Sequence, residues 1–240
     1  MTQRFCKFVL EKLGWTCIGE KAPEKTCVFL EAPHTSIWDF LMGYMYYRSK
    51  GGHLRTMIKK EAFFFPFGYL LRSMGGFPID RSSPSKTILS IVHAMEHCPE
   101  NETFHLVMCP EGTRKAVHKW KTGYHTIVQQ TGAPLYLTII DWGHKRIGVL
   151  EKFEITDNAR ADTDRIQLRY EQENVIGKHP EKFLNRRPKA VLCFVFYCKS
   201  YDGRTDKWLI VGSYAESILR RRRSVPFNIG CTVIFHINLL

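Results

Sequence analysis

Short apolar runs alternate with amphipathic stretches along most of this chain, and that alternation restricts the fold more than any other feature. Cys27–Ala32, His53–Ile58, Phe77–Asp80, Phe104–Cys109 and Leu135–Ile140 read as strands. Between and after them, residues 36–48, 61–74, 84–98, 119–131 and 161–174 read as helices. Strands that alternate with helices point to an α/β sheet with covering helices. At 240 residues and 44% hydrophobic, the chain is long and apolar enough for one core plus an appendage.

Charge narrows the partners. The formal net charge is +12 and the pI about 9.4, which suits nucleic acid, a membrane surface or a phosphorylated substrate. The excess is uneven: residues 1–185 carry +5, while residues 186–240 carry +7 and include Arg220–Arg223. Eight cysteines without a CxxC pair predict reduced thiols and an intracellular protein, with no zinc site of that type. No run reaches the roughly 18–20 apolar residues of a spanning helix. Lys7, Glu11 and Lys12 interrupt any signal-peptide core near the N-terminus.

Four segments hold the candidate chemistry. The first is Ala32-Pro33-His34-Thr35-Ser36-Ile37-Trp38-Asp39, at a strand-to-helix turn. If His34 precedes the helix cap, Asp39 in the first turn can reach back to Nδ1 and leave Nε2 free to take a proton. The bland reading is a capping box, in which Asp39 only satisfies the open N–H groups of the helix start. The second is Gly75-Gly76-Phe77-Pro78-Ile79-Asp80-Arg81, where a short strand delivers Asp80 and Arg81 to its C-terminal end. Arg81 can grip a phosphate with its two-pronged guanidinium, or can form an ordinary surface ion pair. The third is Pro110-Glu111-Gly112-Thr113-Arg114, after another apolar strand. There Gly112 would let backbone N–H groups approach an anion while Arg114 supplies charge; the alternative is a plain turn. The fourth is Ala133-Pro134-Leu135-Tyr136, a proline-led strand start.

In this order and spacing the four segments resemble the lysophosphatidic acid acyltransferase family of glycerolipid acyltransferases, closest to its short bacterial members. His34 and Asp39 match the family's H-x4-D block, Gly75 to Arg81 its second block, and Pro110 to Arg114 its P-E-G-T-R block. Lys59-Lys60-Glu61 with Pro66 and Gly68 is similar to the segment between the first two. Two positions depart: Lys115 replaces a small hydroxyl residue, and Ala62 a leucine. The likeness covers residues 1–185, including Trp120–Gly123 and Gly177–Lys182.

The resemblance implies a mixed central sheet covered by helices. It implies an O-acyltransferase that moves a fatty acyl chain from acyl-CoA or acyl-carrier protein to lysophosphatidic acid, with no cofactor or metal. His34 would be the general base and Asp39 its partner. Arg81 and Arg114, with Lys59, would neutralise the acceptor's phosphate, and Glu111, Gly112 and Thr113 would complete the acceptor site. No Ser or Cys in the matched blocks stands where a nucleophile would. Another lysolipid acceptor is an alternative within the family, and a nucleic-acid-binding module is one from a different class. The second is disfavoured because the basic run is confined to the tail.

Residues 1–18 are expected to form an amphipathic helix on a membrane surface, placing the protein peripherally on the cytoplasmic face. Phe5, Cys6, Val9, Leu10 and Leu13 line one face of it and Arg4, Lys7 and Glu11 another; burial in the core is the competing reading. Phe63–Leu71 is a second greasy segment beside Lys59 and Lys60. Residues 186–240 do not resemble the family and read as a basic C-terminal extension of unknown role.

Overall fold

A computed structural model describes residues 2–80 and 82–183, together with the backbone of residues 192–199 and 206–214. The chain divides into two units, Met1–Asn185 and Arg186–Leu240. In chain order the first contains α1 (Gln3–Lys12), β1 (Thr16–Ile18), β2 (Thr26–Glu31), α2 (Trp38–Ser49), β3 (Arg55–Lys59) and α3 (Phe67–Ser73). It continues with β4 (Gly76–Ile79), α4 (Pro84–Glu96), β5 (Phe104–Met108), α5 (Gly123–Thr131), β6 (Leu135–Asp141), β7 (Arg146–Phe153) and α6 (Ala159–Gln172).

The strands form one seven-stranded sheet in the order β1-β7-β6-β2-β5-β3-β4. β4, β3, β5, β2 and β6 run parallel, and β7 returns antiparallel to β6, so the sheet is mixed. Cys27 to Leu30 of β2 are all buried, as a strand covered on both faces requires. Alternate residues feed opposite layers. Val28 and Leu30 join Ile91, Leu106, Tyr124, Ile127 and Tyr170, the side covered by α4, α5 and α6. Cys27 and Phe29 join Cys6, Leu10, Met42, Met45 and Tyr47, the side covered by α1 and α2.

Several expected boundaries shift for local reasons. The helix expected over 61–74 is a 3₁₀ turn at Lys60–Ala62 followed by α3 alone. Pro66 lacks an N–H and disfavours a helical residue before it, so the turn cannot run on. The helix expected from 119 starts at Gly123, because the Lys121 N–H donates instead to the Pro110 carbonyl (2.7 Å). A left-handed residue follows α3 at Gly75 (φ 85°), where a Cβ would sit 1.9 Å from the Leu54 carbonyl oxygen. The helix expected over residues 1–18 ends at Lys12, and Thr16–Ile18 within that range form β1 instead; periodicity gives no sign of β7 either. α1 divides the apolar face drawn for it: Cys6 and Leu10 are buried, whereas Phe5, Leu13 and also Phe8 are exposed.

In the second unit, β8 (Leu192–Lys199) pairs antiparallel with β9 (Asp206–Tyr214). Arg220–Arg223 and Arg81 lie outside the described residues.

Candidate active site

The parallel run from β4 to β2 sets the C-terminal ends of four strands along one sheet edge. His34 follows β2, Lys59 closes β3, Asp80 follows β4, and the Pro110–Arg114 loop follows β5. Loops from adjacent parallel strands emerge side by side at that edge, where α/β sheets bind ligands. Leu30 pairs with Met108 in the ladder, and the two following loops are then fastened by a bond from the His34 N–H to Glu111 Oε1 (2.8 Å).

Asp39 is fully buried at the first turn of α2 and is engaged on every side. Oδ2 accepts from the backbone N–H groups of Thr35 (2.9 Å) and Ser36 (2.8 Å), and Oδ1 accepts from the indole N–H of Trp142 (2.8 Å). The Ser36 hydroxyl accepts from the Trp38 N–H (3.2 Å), while Ile37 at the N-cap offers no side-chain cap. His34 Nδ1 stands 3.3 Å from Asp39 Oδ2, within ion-pair range but without hydrogen-bond alignment. One carboxylate thus ties the Thr35–Ser36 turn ahead of α2 and faces the imidazole. The His34 side chain keeps 24% of its surface exposed, so its ring is accessible from solvent.

Two more carboxyls lie behind the imidazole. Glu111 is 3% exposed, and burial pushes its carboxyl up to about 8; the His34 N–H opposes this and the Asp39 charge adds to it. Glu31, the last residue of β2, is raised well above the ordinary range by burial and then by repulsion from Asp39 and Glu111. A carboxyl raised in the folded state binds a proton that the unfolded chain has already released. Stability should therefore fall as pH climbs from about 4.5 to about 8. Glu111→Gln keeps an acceptor for the His34 N–H but cannot ionise. Melting curves at pH 5 and pH 8 should show the variant losing less stability than wild type, by up to a few kcal/mol. Equal losses would show that Glu111 ionises freely in the fold.

The expected phosphate-binding residues occupy different settings. Lys59 is exposed, with Nζ 3.6 Å from Glu61. Asp80 accepts from Lys60 Nζ (2.6 Å) and from the Ser82 N–H and hydroxyl, which hold its carboxyl far below the usual range. Gly112 adopts φ 65° and lies against the Lys121 side chain. Thr113 Oγ1 accepts from the Lys115 N–H (3.3 Å), and Arg114 is exposed to solvent. Glu111 meets the His34 backbone, rather than an arginine, among the described residues.

Sequence reasoning missed Trp142. It follows β6, another parallel neighbour of β2, so its indole reaches the same edge from a distance of 103 residues. Buried Asp141 anchors that turn, accepting from His144, Arg146 and the Ile176 N–H. Burial pushes the Asp141 carboxyl up, but these bonds outweigh it and hold the group below its ordinary value. The Gly177–His179 stretch closes the same side: the His179 N–H donates to Thr35 Oγ1 (3.2 Å), and Lys178 Nζ lies 4.8 Å from the Trp38 ring and 4.6 Å from the Trp142 ring. Spacing along the chain carries no signal for the indole, because Trp142 lies in none of the four blocks.

The profile of the acyltransferase family matches residues 15–140, which takes in all four blocks. The 1-acyl-sn-glycerol-3-phosphate acyltransferase of Streptococcus pneumoniae (strain ATCC BAA-255 / R6) is 34% identical over 87 residues. That stretch is 35% of this chain and 31% of the relative, so the chain matches about a third of that protein's length. No solved structure matches the chain.

Proposed function

The chain belongs to the acyltransferase family, and we propose that it transfers a fatty acyl chain from a thioester donor to the free hydroxyl of lysophosphatidic acid, giving phosphatidic acid. The observation that carries this reading is the accessible His34 imidazole set 3.3 Å from a buried, triply bonded Asp39 carboxylate. In this reading His34 takes the proton from the acceptor hydroxyl as the oxygen attacks the thioester carbonyl. The tetrahedral intermediate then expels the thiolate, and the imidazolium returns its proton to the leaving sulfur. Asp39 holds the ring and stabilises the imidazolium that forms between the two steps. Direct attack needs no acyl-enzyme.

Lys59, Arg81 and Arg114 are assigned to the acceptor's phosphate, and Gly112 and Thr113 to the loop that presents Arg114. Arg81→Ala and Arg114→Ala should each raise the KM for the lysolipid about 10-fold or more while changing the thioester KM little. Losing a charge-assisted contact costs about 1.5–3 kcal/mol, enough for that change. Equal effects on both KM values would move these arginines away from the acceptor.

The acceptor and product are lipids, so the protein is assigned a peripheral place on the cytoplasmic face of a membrane. Phe64, Phe65, Phe67, Tyr69 and Leu70 form an exposed apolar group beside Lys59 and Lys60, and Phe65 is 82% exposed. Aromatic side chains next to cations suit an anionic lipid surface. No helix among the described residues is long and apolar enough to cross a membrane. The deciding assay is purified protein with labelled acyl-CoA or acyl-carrier protein against a panel of lysolipids. Phosphatidic acid formation supports the reading, and transfer only to other lysolipids overturns the acceptor.

A further inference from the structure

The proposed base belongs to a second constellation. β2 and β5 are adjacent and parallel, so Glu31 at the end of β2 and Cys109 just after β5 emerge together, with His34 beside them. One donor atom from each of Glu31, His34 and Cys109 lies within 4.8 Å of the other two. A sulfur, an imidazole nitrogen and a carboxylate oxygen form a donor set that suits a zinc-class cation. Three protein donors leave a fourth position for water.

Two further features accompany this cluster. His34 Nδ1 is a buried ring nitrogen without a hydrogen bond. Glu31 is 7% exposed, and among the described residues no lysine or arginine forms an ion pair with it. The charge balance points the same way. Glu31, Asp39 and Glu111 are all buried here, and among the described residues no lysine or arginine pairs with any of them. Burying a carboxylate without a charged partner, as at Glu31, is costly, and a bound cation relieves that cost.

We propose that Glu31, His34 and Cys109 bind a zinc-class divalent cation, and that its occupancy silences the enzyme by engaging the imidazole. Binding exchanges protons for metal: the Cys109 thiol and the Glu31 carboxyl give up theirs, and no oxidation state changes. Affinity should therefore rise with pH. The site itself follows from geometry alone; only the silencing rests on His34 being the base.

The test uses the full chain, stripped with chelator and titrated with Co²⁺ in the absence of lipid. A near-ultraviolet thiolate-to-cobalt charge-transfer band is expected, and Zn²⁺ should displace it. Cys109→Ser should lose the band, and Glu31→Gln should bind Co²⁺ about 10-fold more weakly or worse, at least the loss typical of a metal's outer partners. No band in wild type, or an undiminished band in Cys109→Ser, overturns the site; binding at another cysteine would give the second result. Should Cys109→Ser fail to fold, Glu31→Gln with unchanged Co²⁺ affinity overturns the site equally well. In the acyl-transfer assay, Zn²⁺ should inhibit wild type, whereas Cys109→Ser should stay active and need about 10-fold more Zn²⁺ for the same inhibition. A band accompanied by full activity in saturating Zn²⁺ would overturn the silencing and count against His34 as base, while leaving the metal site in place.

Discussion

His34→Ala should abolish acyl transfer while leaving the fold and lysolipid binding nearly intact. Removing a positioned general base typically costs about 10²–10⁴ in rate. Among the described residues, no other imidazole stands beside Asp39 to replace it. The structural cost should be small for three reasons. The His34 side chain is a quarter exposed, its Nδ1 makes no hydrogen bond, and its tie to Glu111 runs through the backbone N–H, which alanine retains. Single-turnover rates, lysolipid binding isotherms and melting curves on the same preparation check all three parts. A variant within about tenfold of the wild-type rate would remove His34 from proton transfer.

Asp39→Asn should lose a comparable share of the rate and also destabilise the fold. From sequence alone an asparagine looks like a clean probe, since its amide oxygen can still cap a helix. The tertiary structure removes that option. Oδ2 already serves the Thr35 and Ser36 amides and Oδ1 the Trp142 indole, so all three neighbouring donors need an oxygen. Whichever way the asparagine turns, its NH₂ faces a donor. Asp39 is fully buried, so solvent has no direct access to relieve the mismatch. An unsatisfied buried group of this kind costs about 1–3 kcal/mol. The rate should fall because the imidazolium loses its counter-charge as well as its orientation. Activity must therefore be compared at equal folded fraction. Trp142→Phe supplies the contrast, because it removes one donor and keeps the carboxylate charge, and it should slow transfer far less. A Trp142→Phe variant as slow as Asp39→Asn would assign the effect to orientation by the indole, and a fully active Asp39→Asn would leave His34 working without a dyad.

Local spacing and periodicity already carried a good deal of this protein. The five apolar runs became strands because each is short, apolar and bounded by turns; Thr26–Glu31 and Phe104–Met108 are largely buried and lie close to their expected limits, whereas β3 and β4 are only half-buried. The reach of Asp39 back to His34 was also legible, since it depends only on a few residues around one helix start. Other outcomes depended on partners far along the chain, which no short window contains. α1 turned Cys6 and Leu10 inward only because α2 offered them a surface to pack on. β7 exists as a strand through its antiparallel ladder to β6. The meeting of the His34–Asp39 pair with Glu111, Cys109 and Trp142 required β2, β5 and β6 to lie side by side, and hydrogen bonding between strands, not spacing within them, sets that order. Short-range pattern thus marks out His34 and Asp39 as a pair and the strand-end loops as their company. Long-range packing is what buries Asp39 under three donors and backs the imidazole with uncompensated carboxyls, because desolvation and charge crowding arise only when distant segments exclude water from the same place.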